Sequence, residues 1–135
     1  MAISAHDALI YLMIVTASSD VALTDQELNR IEMLVGRLPV FEGYDKAGLA
    51  AAANRCADLI NGSTGLEGVL DMAIAAIPKR LQDTAYALAV EIAVVDLQLP
   101  QEELRFLEMI RDGLEVDRLT TAAIEAAARA RMRTA

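Results

Sequence analysis

The chain of 135 residues carries a formal net charge of −8 and is 55% hydrophobic, with no Trp and only 4% aromatic residues. That length fits one domain over residues 1–135 with a core of its own, and a composition rich in Ala, Leu, Ile and Val predicts packed helices rather than a β-sandwich. The acidic balance disfavours nucleic acid, anionic membranes and oxyanion ligands while favouring cations, and the single cysteine, Cys56, excludes an internal disulfide and fits a reducing compartment.

In chain order, Ser4-x-x-Asp7 reads as a capping-box-like start, and the run Ala8 to Val15 is apolar all round a helical wheel, so it belongs at the centre of the domain. The run to Ala17 is too short to span a bilayer, and with His6-Asp7 where a secretory leader needs positive charge, the expectation is a cytoplasmic protein without membrane insertion. After Asp20 and a short link, Thr24-x-x-Glu27 opens an outer helix with the stripe Leu28, Ile31, Leu34, Val35 and Leu38, leaving Asn29, Arg30, Glu32 and Arg37 largely toward water.

Leu38 to Tyr44 reads as a loop or one short turn, and Asp45 as the cap of a helix running to Ile60. Thr64-x-x-Glu67 is expected to cap the next helix, and Pro78 to occupy the first position of a fifth. Within that fifth helix Tyr86 to Val95 is again apolar except for Glu91, so it is the second buried helix. Asp96 closes it, Pro100 starts an outer partner with the stripe Leu104, Leu107, Ile110 and Leu114, and Asp117 caps a last Ala-rich helix through Ala130. Arg129, Arg131 and Arg133 then read as a solvated helix end that suits the helix dipole.

The two buried helices belong to a repeat. Asp96-Leu97-Gln98-Leu99-Pro100-Gln101-Glu102-Glu103 answers Asp20-Val21-Ala22-Leu23-Thr24-Asp25-Gln26-Glu27 seventy-six positions earlier. The correspondence continues outward through Leu12 and Leu88, Ala17 and Ala93, Leu28 and Leu104, and Leu38 and Leu114. Two helix–link–helix units, about 5–38 and 81–114, follow from it.

Each unit pairs an Asp at the end of a buried helix with a Glu near the start of the next. The glutamates have an architectural explanation: Glu27, three residues after Thr24, can satisfy a backbone N–H, and Glu103 near the positive end of its helix is favourable without a ligand. The aspartates oppose the helix dipole, by about 0.3–1 kcal/mol, unless each caps its own link or meets a cation. Placing both acids of a unit together costs repulsion that a cation relieves, and all-oxygen donors favour Ca²⁺, Mg²⁺ or Mn²⁺ over Zn²⁺. Neither link is an EF-hand, because the twelfth position after each Asp opens is Ile31 or Leu107.

Glu91 is a further contributor if it joins an acidic cluster; the alternative is that it faces a water-filled edge, with Lys79 and Arg80 too far along the helix to be sure partners. The lone His6 reads as a solvated first-turn residue and Cys56, on the stripe Leu49, Ala53, Cys56 and Ile60, as a small core hydrophobe. With one His and one Cys no nucleophilic triad is expected, so no enzyme is expected either.

At the twin motif the chain resembles the tellurite-resistance TerB family and the wider group of TerB-like domains, over nearly its whole length. The resemblance implies an all-α bundle of about seven helices and a divalent-cation site at Asp20, Glu27, Asp96 and Glu103. It also implies a role in a bacterial tellurite, metal or envelope stress response, near the inner face of the membrane. Val21 and Leu97 stand where that family usually has Gly after the Asp, and Val21 resists the left-handed backbone that Gly allows. The partners expected are a protein, among them membrane-associated stress-response components, or a second copy in a homodimer. The alternative is a protein–protein interaction scaffold without metal, whose acids serve as helix caps and solubilising charge.

Overall fold

A computed structural model describes residues 3–17, 24–93 and 101–135, with the backbone alone for 101–105. Its described residues form an all-α bundle of seven helices: α1 Ala5–Ala17, α2 Asp25–Arg37, α3 Leu49–Asn61, α4 Gly65–Ala76, α5 Gln82–Ala93, α6 Gln101–Gly113 and α7 Arg118–Arg131. No described helix is long and apolar enough to cross a membrane.

α1 runs through the middle because it has no polar face to show. Every residue from Ala8 to Ala17 is buried, and the helix packs most extensively on α4, α5 and α3. Leu9, Ile10, Leu12, Met13 and Val15 are fully enclosed, each of the larger ones worth ~1.5–3 kcal/mol of transfer from water. Thr16 is the polar exception inside this helix, and its hydroxyl donates to the Leu12 carbonyl at 2.8 Å, so its burial leaves no orphan group. At the other end Ser4 Oγ accepts the Asp7 N–H at 3.0 Å, the cap that the sequence predicts.

α5 is the second interior helix, with Ala85, Tyr86, Leu88, Ala89, Val90, Ile92 and Ala93 buried. The 76-residue offset recurs in the outer helices, α2 and α6, which span Asp25–Arg37 and Gln101–Gly113. Ile31 and Val35 are the buried residues of the α2 stripe, and Leu107, Ile110 and Leu114 those of the corresponding stripe at α6.

Three starts differ from expectation. Asp45 caps a 3-10 turn, Lys46–Gly48, through an Ala47 N–H bond of 3.0 Å, and α3 begins only at Leu49. Pro78 precedes another such turn, Lys79–Leu81, so α5 starts at Gln82. Thr64 makes no side-chain cap, because its own backbone is already helical while Gly65 turns the chain at φ +70°. Its methyl lies over Gly68 instead, where an added Cβ would stand 2.9 Å from it.

Candidate functional site

The two helix–link–helix corners are where the sequence places its acids. Asp20 and Asp96 lie outside the described residues, as do Val21 and Leu97. Glu103 is the third residue of α6, with its side chain outside the described set.

Glu27, the third residue of α2, is described in full. Its N–H donates to Thr24 Oγ1 at 3.2 Å, while its Oε1 accepts from the Thr24 N–H at 3.1 Å and from the Thr24 hydroxyl at 2.8 Å. This is the complete reciprocal capping box. One oxygen is thereby committed, and among the described residues Oε2 has no hydrogen-bond partner.

Among the described residues Glu91 meets two cations. On the last turn of α5 its Oε1 accepts from Arg30 of α2 at 3.2 Å, and its Oε2 pairs with Arg131 of α7. Both its side chain and that of Arg30 are about four-fifths buried, at 20% and 23% exposure. One expectation is corrected here: Arg30 turns inward from α2, because a largely buried carboxylate needs compensating charge, and Arg131, still 56% exposed, reaches the same carboxylate from the solvated helix end. Separations of 61 and 40 residues kept both partners out of reach of local pattern. Among the described residues no group of three or more His, Cys, Asp or Glu side chains converges as metal ligands do.

A second polar cluster surrounds the start of α1. His6 Nε2 donates to the Val40 carbonyl at 2.8 Å, and its ring packs on Phe41 and Tyr44 at centroid distances of 5.8 and 5.4 Å. It is therefore a partly buried clasp on the turn Pro39–Phe41 and not a solvated residue. The aromatic residues three apart at Phe41 and Tyr44 are the signal that would have found it. Nearby, Arg55 of α3 reaches Asp7 at 3.3 Å, and the Tyr11 hydroxyl together with Asp7 raises its pKa. Burial, reinforced by the Asp7 charge, raises that of the Tyr44 phenol. Cys56 is fully enclosed, and burial pushes its thiol up to about 12.

The third feature is an open cleft of about 510 Å³ between the end of α6 and α7, lined by Arg111, Asp112, Arg118, Thr121 and Glu125. Beside it the buried Tyr86 hydroxyl donates to Glu125 Oε2 at 2.8 Å. Desolvation, then the Glu125 acceptor, raises the Tyr86 pKa.

Comparison with protein-family models, with curated proteins and with solved structures gives no match.

Proposed function

We propose that the chain is a non-enzymatic, TerB-like acidic module that binds a divalent cation at its two helix–link–helix corners, in a bacterial tellurite, metal or envelope stress response. The observation that supports this reading is the shared offset of the outer helices. α2 and α6, Asp25–Arg37 and Gln101–Gly113, keep the 76-residue offset of the sequence, with Glu27 and Glu103 at the same position in each and Asp20 and Asp96 seven residues ahead of them in the chain. The donors are all oxygen, which suits Ca²⁺, Mg²⁺ or Mn²⁺ better than Zn²⁺.

Glu27 spends Oε1 on its cap and retains Oε2 for an ion. Glu91 lends nothing while Arg30 and Arg131 hold it, so the charge that attracts the ion rests chiefly on Asp20 and Asp96. With so few carboxylates per corner the affinity belongs at the weak end, on the order of 10⁻⁴–10⁻³ M. The test is a titration of the chain with Ca²⁺, Mg²⁺, Mn²⁺ and Zn²⁺ followed by amide chemical shifts. Movement at residues 18–27 and 94–103, lost in the variant Asp20→Asn with Asp96→Asn, is the expected result; an unmoved spectrum at millimolar ion sinks the reading.

A second reading is an interaction scaffold that uses its acids as caps and for solubility. The caps made by Glu27, Asp45 and Asp117 favour it, since all three carboxylates already have backbone N–H donors. It expects the flat titration.

A further inference from the structure

α7, like α2, buries only two of its residues among the described ones. It packs extensively against α5 alone, and along its fourteen residues only Thr121 and Ala128 are buried. Leu119, in its first turn, is 82% exposed. So little apolar area leaves much of the attachment to polar fastenings.

Those fastenings come in a regular order. The Glu115 N–H, just ahead of α7, donates to Gln82 Oε1 at 3.0 Å. Tyr86 donates to Glu125 at 2.8 Å, and Arg131 closes on Glu91. Positions on α5 and α7 thus advance together, so the two helices run parallel. Under this strap the α5 face includes Tyr86, at 2% exposure.

We propose that α7 is an exchangeable strap: it lifts from α5 as a unit, and the face it leaves is taken by the α7 of a second copy of this chain. The occupant follows from complementarity. A second copy offers Glu125 to Tyr86 and Arg131 to Glu91 with the same spacing, so exchange keeps both of these fastenings and gives up only the Glu115–Gln82 bond in the connection that straightens. The exposed Leu119 lies beside the short connection, residues 114–117, that the exchange would straighten, and a second chain crossing there would cover it. The Arg131 clasp is half exposed on its arginine side, so salt weakens the closed form.

Two charge reversals test this. Glu91→Arg places three arginines at the clasp, Arg30 and Arg131 with the new one, and Arg131→Glu two glutamates, so neither variant fastens its own α7. Mixed in equal amounts, they restore opposite charges at both clasps of an exchanged heterodimer and in no monomer. Native mass spectrometry at low salt should show a species of mixed mass, at twice the monomer mass, in the mixture and in neither variant alone. It should diminish at about 1 M salt, where the screening length is ~3 Å. A mixture that remains the sum of its monomers overturns the exchange. Hydrogen exchange on the wild-type chain provides the second measurement, independent of whether the variants fold. Amides of 118–131 should exchange sooner than those of α1 and α5, and faster as salt rises; α7 amides protected as long as those of α1 overturn the strap.

Discussion

Arg30 on α2 and Glu91 on α5 meet at 3.2 Å, and one repeat away the same two positions hold Phe106 and Val15. Val15 is fully buried and Phe106 packs half-buried against the core. The two units therefore share outer-helix boundaries but solve the equivalent position differently, one with an ion pair and one with hydrocarbon.

That difference sets the first expectation. Glu91→Ala leaves a largely buried guanidinium uncompensated and should destabilise the fold by about 1–3 kcal/mol. Arg30→Phe with Glu91→Val, which copies the apolar solution of the other unit, should recover most or all of that loss, because apolar replacements of an ion pair are often neutral or better. Urea denaturation midpoints decide it. An unchanged Glu91→Ala midpoint would mean that the pair contributes nothing.

Asp117 predicts an acid-side dependence. Its carboxylate accepts the Thr120 N–H and hydroxyl, both at 2.9 Å, and these bonds hold its pKa below the ordinary 3.8. A group depressed in the folded state stabilises above its unfolded pKa and loses that contribution as pH falls through the folded one. Asp117→Ala should therefore be less stable than wild type at neutral pH, with the gap narrowing below about pH 4. Thermal melts of both proteins across that range would show a constant gap if the cap played no part.

Cys56 predicts an alkaline dependence of the opposite sign. Burial favours the neutral thiol, with a pKa of about 12 against an ordinary 9.0. Its contribution is complete below the unfolded value and declines above it, as the unfolded chain gains the option of a thiolate. In the native state at pH 8 a thiol reagent should label Cys56 only at the rate of unfolding; labelling as fast as a free thiol would contradict its enclosure.

His6→Ala removes the bond to Val40 and two ring contacts, and should cost about 1–2 kcal/mol. His6→Phe keeps the rings and loses only the bond, so it should fall between the two. Denaturant midpoints of the pair separate stacking from hydrogen bonding, and equal midpoints would show that the ring contacts carry no weight.

The readable parts of this fold were those written within a turn or two of chain. Thr24 and Glu27 announce their box because both members lie inside four residues, and α1 announces its central place because no face of it is polar. Thr64-x-x-Glu67 carries the same local signature and fails, since Gly65 turns the backbone so that Thr64 is already helical. Position in the pattern cannot convey that conformation. Glu91 was visible as an anomaly in an apolar helix, but the arginines that answer it come from α2 and α7 and are set by packing alone. The acids of the two corners were legible as a repeated motif; Asp20 and Asp96 themselves lie outside the described residues.

The interior course of α1 also bears on how the chain is made. This helix leaves the ribosome first among the seven, yet two of its main supports, α4 and α5, are completed only at Ala76 and Ala93. At about 5–20 residues per second the last of α5 follows the last of α1 by roughly 4–15 s. Throughout that interval Ala8 to Ala17 is a ten-residue apolar segment without its full shelter. The first apolar helix made is thus among the last to gain its full cover, and the burial of α1 waits on the second interior helix.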